Sequence, residues 1–256
     1  MAKLELVNKG NDRTTFLLKS SSPAYSNALR RIMLTEVSVM AVEEIEFRKN
    51  SSALYDEQVA HRLGLVPLTT DLGSYELPKS QEDVDNKLAK CTVQLTIKEK
   101  GPKIVYASDI KTADPKIKPV FPKMPIVKLL KDQELELVAT AILGKGKDHM
   151  KWSAGHVWYT YNPKITINKK ADFEKFKDVY PPAVFNAKGE IDEKLIIENN
   201  LVDAVAHIND EVVSVEYNEL EHIFQVEPWG QLSSKEIMVE ALDVFDVKLD
   251  ELLKLL

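Results

Sequence analysis

The last two dozen residues constrain this chain most. Ser233 stands three residues ahead of Glu236, the spacing of a capping box, and an apolar run follows at once. Within it Met238, Leu242, Phe245, Leu249, Leu252 and Leu256 are spaced by 4, 3, 4, 3 and 4 residues, the a/d alternation of a two-helix seam. Ile237, Ala241, Val244 and Leu253 widen the stripe. Each seam side chain gains roughly 1.5–3 kcal/mol on burial, an upper bound before entropy, so such a helix does not stay exposed. Two destinations are open. It folds onto this chain's own sheet, or it meets a partner helix.

At 256 residues the chain has room for one large domain or two to three small ones. With 44% hydrophobic and 29% charged residues, and only 9 Gly and 12 Pro, disordered and collagenous classes are excluded. A formal charge of -6 argues against a surface built to neutralise phosphates, so no direct grip on nucleic acid is expected. Cys91 is the single cysteine, which excludes an internal disulfide or a Cys-x-x-Cys metal site and fits a reducing, cytoplasmic setting. The charged opening MAKLELVNK does not read as an export signal, and the longest apolar-rich stretch, Leu137 to Leu143, is far short of the roughly 20 residues that span a bilayer. A globular, non-membrane protein is expected.

Leu4 and Leu6, then Phe16 and Leu18, alternate with polar residues around a turn at Asn8 to Asp12, a hairpin pattern. Ser22-Pro23 then reads as a cap followed by a first helical position, with Tyr25, Ala28, Leu29, Ile32 and Met33 at helical spacing to about Glu36. Val37 to Phe47 turns β-like. Short β runs follow at Val93–Lys98, Ile104–Ile110, Glu134–Ile142, Val157–Tyr161 and Ile165–Ile167, with a proline-punctuated loop from Asp114 to Pro125. After Asn168 a charged helical stretch, Ala171 to Lys177, and a Pro181-Pro182 break suggest a small separate lobe. Two β runs, Val212–Tyr217 and Ile223–Glu227, lead into the last helix.

Tests for chemistry return little. Gly144-Lys145-Gly146-Lys147 fails as a phosphate loop, because Ala141 and Asp148 stand where that motif needs Gly and Ser or Thr. The histidines at 61, 149, 156, 207 and 222 show no metal spacing, Asp83 and Asp85 read as a solvated loop, and no Gly-x-Ser-x-Gly elbow occurs. Arg30 and Arg31 stand out in a chain with five arginines; their planar guanidinium groups suit a partner, and solvent is the alternative.

Three stretches carry a resemblance. Ala28-Leu29-Arg30-Arg31-Ile32-Met33 with Glu36, the run Asp56 to Leu68, and Gly144 to Ser153 agree in order and spacing with the α-like subunit family of cellular RNA polymerases, most closely its archaeal branch. The similarity continues through the Phe224–Gly230 strand and the last helix.

That resemblance implies an α+β fold. A discontinuous dimerisation domain of strands and amphipathic helices (1–48 and 219–256) would hold an inserted, mostly antiparallel β domain (49–167) and a small ferredoxin-like lobe (168–218). It implies a non-catalytic assembly subunit of DNA-dependent RNA polymerase. Its heterodimer with the smaller subunit L, made through Met238, Leu242, Phe245, Leu249, Leu252, Leu256, Tyr25, Leu29 and Ile32, would form the platform for the catalytic subunits. Arg30, Arg31, His61, Arg62, Lys145, Lys147, His149, Lys151 and Trp152 would face the second-largest subunit, and Leu63-Gly64-Leu65 would form a tight turn locking the inserted domain. Some archaeal relatives hold an iron-sulfur cluster in the lobe. With no cysteine beyond 91, this chain cannot supply four thiolates, so no cofactor is expected; Phe173, Phe176, Val184, Leu195, Ile196 and Leu201 would form the lobe's core instead, and magnesium would belong to the largest subunit. The rival reading is a small-molecule enzyme that uses Gly144–Lys147 and His149 on an anionic substrate, and a homodimer stands as a third.

Overall fold

Strand β8 (Glu134–Lys145) shows how alternation becomes a core. Leu135, Leu137, Ala139, Ala141 and Leu143 occupy every second position, and all are at most 2% exposed. β8 lies inside a four-stranded antiparallel sheet, between β3 (Ser38–Asn50) and β4 (Thr92–Lys100), with β6 (Lys111–Thr112) at β4's far side. Val42, Ala141 and Val93 stand in register across the three long strands, and so do Phe47, Leu137 and Ile97. The register of β3 shifts between Val42 and Glu44, a bulge that leaves Glu43 without a partner across the ladder.

The computed structural model describes residues 2–10, 12–168, 171, 173–199 and 201–256. They form two compact units. One gathers Asn8–Thr15, Asn27–Trp158 and Gln225–Leu256. The other gathers the segment up to Val7, Phe16–Ser26 and Tyr159–Phe224. A second four-stranded sheet has the order β1 (Lys3–Lys9), β2 (Thr14–Lys19), β10 (Val213–Pro228), β9 (Gly155–Ile167). No helix among the described residues is long and apolar enough to cross a membrane.

In the larger unit, α2 (Asp56–Gly64) buries Val59 and Leu63 in the same core as Met40, Leu95 and Leu137. A two-stranded ladder of β5 (Lys103–Tyr106) and β7 (Pro125–Leu129) adds Val105, Ile126, Val127 and Leu129. Helix α1 (Pro23–Thr35) starts where the Ser22-Pro23 pair predicts and buries Leu29, Ile32 and Met33. Helix α6 (Ser234–Leu255) opens with the expected box: Ser233 Oγ accepts from the Glu236 N–H, and Glu236 Oε2 accepts from the Ser233 N–H at 2.8 Å.

The smaller unit has a core of its own. Ile165, Tyr180, Val184, Ile191, Ile196, Val205, Val212 and Val213 are buried together, and Phe173, Phe176 and Leu201 pack against them half-buried. Leu195, expected in this core, is half-buried outside it. Ile196 and Val205 come from two short helices, α4 (Glu193–Glu198) and α5 (Val202–Val205). The helix expected over 171–177 is only a 3-10 turn at Phe173–Phe176; Lys169, Lys170 and Asp172 lie outside the described residues. Phe16 and Phe224 stack with ring centres 5.1 Å apart. Beside them His222 is fully buried: its Nδ1 lies 3.0 Å from Ser26 Oγ, which lies 2.9 Å from Ser21 Oγ, while Nε2 has no partner.

Several sequence expectations need correction. Ile104–Ile110 is not one strand, because a 3-10 turn at Ala107–Asp109 divides β5 from β6. β9 and β10 are each continuous where two runs were expected, and Pro163 is accommodated because β9 is a sheet edge. Leu4 and Leu6 lie on the opposite edge strand and are more than half exposed. Asp83 is no loop residue: it lies in a short helix, α3 (Gln81–Asp85), where its carboxylate accepts from the N–H groups of Lys79 and Ser80. Leu63-Gly64-Leu65 does turn tightly, at the end of α2, where the Val66 N–H donates to Leu63 O at 3.1 Å.

Candidate assembly interface

Helix α6 changes character along its length. Ile237, Met238 and Ala241 are buried, and Leu242, Val244 and Phe245 are half-buried. Beyond them Val247, Leu249, Leu252, Leu253, Leu255 and Leu256 are exposed, from 44% at Leu249 to 94% at Leu256. Of the two destinations open at the level of sequence, the chain's own core takes only part of the helix. The first turns fold onto the chain's own core, and the last three present an uncovered apolar stripe. From α1, Leu29 and Ile32 are 1% and 7% exposed, so their packing lies within the chain; Tyr25 is half-buried.

A single carboxylate ties three segments of the larger unit together. Glu36 follows the C-terminal end of α1, where Glu36 N–H donates to Ile32 O. Its side chain, 12% exposed, accepts from Lys248 Nζ on α6 at 3.0 Å and from Lys145 Nζ at the end of β8 at 3.2 Å, with Lys147 Nζ at 3.8 Å. Burial by itself would push the Glu36 carboxyl up, but the hydrogen bonds from Lys248 and Lys145 outweigh it and hold the group below the ordinary carboxylate range. On the same recess Glu240 is shifted the other way, raised by burial and by the charge of Asp243.

The turn after β8 is fixed by close packing. A Cβ at Gly144 would lie 2.3 Å from the Trp152 ring, and one at Gly146 would lie 2.3 Å from the Leu34 carbonyl oxygen. Only glycine fits at either place, so the Gly-Lys-Gly-Lys run is a packing joint rather than a cradle for phosphate. Trp152 is 7% exposed and its Nε1–H donates to Ile142 O at 3.3 Å. Lys151 Nζ lies 4.3 Å from the centre of that ring, donates to Val42 O and pairs with Glu43, the residue set free by the β3 bulge. His149 is exposed, and its Nδ1 accepts from the Lys151 N–H at 3.0 Å.

The basic residues assigned to one face thus divide. Arg31, His61, Lys147 and His149 are exposed; Arg30 is half-buried and donates through Nη2 to Asn27 Oδ1 at 2.8 Å. Arg62 Nη1 donates to Ile126 O at 2.6 Å, bracing α2 against β7. Lys145, Lys151 and Trp152 serve the chain's own packing first.

Comparison with known proteins matches this framework. Residues 44–156 fit the family described as the RNA polymerase Rpb3/RpoA insert domain. DNA-directed RNA polymerase subunit Rpo3 of Pyrococcus horikoshii is 38% identical over 98% of this chain and 96% of its own length. The chain belongs to the Rpo3 family. The Rpo3 proteins of Methanosphaera stadtmanae and Pyrococcus furiosus are 34% and 36% identical, covering 98% and 97% of this chain and 97% and 94% of their own. These likenesses run nearly the full length of the chain. Sequence reasoning quoted Glu36 within the family motif but gave it no role, and it did not single out Lys248 or Glu43. Their partners lie 108, 109 and 212 residues away in the chain, beyond the reach of any local pattern.

Proposed function

We propose that this Rpo3 chain is a non-catalytic assembly subunit of DNA-dependent RNA polymerase that pairs with subunit L and, with it, forms the platform on which the catalytic subunits assemble. The observation that carries the reading is the uncovered stripe Val247, Leu249, Leu252, Leu253, Leu255 and Leu256 on the last three turns of α6. A helix this apolar and this exposed at its free end is suited to a second helix. An obligate pair of this kind buries roughly 2,000 Å² or more. Arg31, His61, Lys147 and His149 supply exposed cations for the second-largest subunit, with Arg30, Arg62, Lys145, Lys151 and Trp152 holding that surface in shape. The dimerisation domain comprises 1–48 and 219–256, the inserted domain 49–167 and the lobe 168–218. Nucleotidyl transfer and its magnesium belong to the largest subunit, and the protein works in the cytoplasm. The lobe holds no iron-sulfur cluster, since no cysteine lies in it to supply thiolates, and a buried apolar core holds it together.

Light scattering after size exclusion, on the chain alone and co-expressed with subunit L, tests the pairing. A stable 1:1 heterodimer is expected, with self-association of the lone chain. A well-behaved monomer indifferent to L would refute the reading. A visible-absorbance band with bound iron in freshly purified protein would refute the cluster-free lobe.

A further inference from the structure

A second exposed surface lies in the larger unit, apart from the α6 stripe. Between Pro115 and Lys131 the chain carries five lysines (116, 118, 123, 128 and 131) and no acidic residue, in a protein with a net charge of -6. Among the described residues only Lys116 of these forms an ion pair, to Asp71 at 2.6 Å. Most of this stretch is held by neighbours. Val120 N–H donates to Pro67 O, Thr69 N–H donates to Lys118 O, and Thr70 N–H donates to Gln231 O, so segments 67–70, 117–121 and 229–231 run side by side. Gly230, at φ +92°, lets the chain turn directly against Val120: a Cβ there would lie 2.4 Å from Val120 Cγ1. One residue beyond that contact on each segment stands a large exposed aromatic, Phe121 at 49% and Trp229 at 45%.

We infer that Lys118, Phe121, Lys123 and Trp229 form a docking surface for an acidic, extended polypeptide segment that carries apolar side chains. Free ammonium groups beside uncovered aromatic rings favour a partner with both carboxylates and hydrophobic anchors. Prolines 115, 119, 122 and 125 hold the loop in shape, so little ordering accompanies binding. Nucleic acid fits less well. A phosphate track engages roughly six to ten cations, whereas this surface places only Lys118 and Lys123 beside its two aromatic rings. The surface is independent of the α6 stripe, and the inference stands or falls separately from pairing with L.

The test is fluorescence anisotropy at low salt with the full chain and a labelled peptide alternating Glu with Leu and Phe, run beside a labelled oligothymidylate. Lys118→Glu with Lys123→Glu should weaken peptide binding about tenfold or more, and so should Phe121→Ser with Trp229→Ser. Lys188→Glu with Lys194→Glu, which changes net charge equally in the other unit, should leave it unchanged. Circular dichroism and thermal melting confirm that each variant is folded. Equal loss in patch and control variants, absence of peptide binding, or tighter binding of the oligonucleotide through the same lysines would each overturn the inference.

Discussion

Removing the Glu36 carboxylate should destabilise the larger unit by an amount that depends on pH in a defined direction. Hydrogen bonds to a charged group are worth ~1.5–3 kcal/mol each when fully buried. Here the lysines keep much of their water: Lys145 is 25% exposed, Lys248 43% and Lys147 51%. Solvent therefore screens each contact to roughly 0.5–1 kcal/mol. Glu36→Ala loses two such bonds and leaves three ammonium groups facing one another, about 2 kcal/mol in all. Glu36→Gln keeps an acceptor oxygen and should lose about half of that. Because the folded-state pKa lies below the ordinary value of 4.5, the stabilisation is complete above that value and disappears as pH falls through the folded pKa. Urea unfolding at pH 7 and at intervals down to about pH 3 should show the wild type and Glu36→Ala converging on the acid side. A difference within about 0.5 kcal/mol at neutral pH, or one that persists unchanged into acid, would show that the three lysines do not depend on Glu36.

Other outcomes follow from neighbouring features. Gly144→Ala should cost about 1–3 kcal/mol and alter Trp152 fluorescence, since the added methyl meets the ring at 2.3 Å; an unchanged midpoint and spectrum would contradict that contact. His222 has its pKa lowered by burial, so the unfolded chain takes up the proton first and stability falls as pH drops below the ordinary value of 6.5. His222→Gln should flatten that slope in urea titrations, and a slope identical to wild type would assign it to other groups. Leu249→Glu with Leu252→Glu should leave the lone chain within about 0.5 kcal/mol of wild type while abolishing co-purification with subunit L; retained pairing would remove α6 from the interface.

Local chemistry made much of the fold legible. The Ser233–Glu236 box and the Ser22-Pro23 start are each dictated within a few residues and found as read, and the run Glu134–Ile142 is found as a strand that continues to Lys145. Strand limits failed where alternation is absent for a physical reason. Glu216 to Leu220 of β10 are exposed on both faces, so polar residues interrupt the pattern without interrupting the strand. Leu4 and Leu6 alternate as a core strand would, yet β1 is a sheet edge with every residue exposed. At the candidate interface, apolar periodicity identified α6 but could not divide it, because the buried and uncovered halves share one spacing. The roles of Lys145, Lys151 and Trp152 depend on Glu36, Ile142 and the bulge at Glu43, which only the folded chain brings to them.

The division of α6 has a mechanical side. From Phe245, its last half-buried residue, to Leu255 the helix extends about 15 Å as a cantilever rooted at one end. Any tilt at the root grows with distance, so a partner held near the tip would be aimed by small errors in packing at Ile237 and Met238. Lys248 stands about one turn beyond that root, and its bond to Glu36 acts as a strut that shortens the free length. Stiffness of a beam rises steeply as its span shortens, so even a solvent-screened ion pair at that point biases the direction in which the helix points.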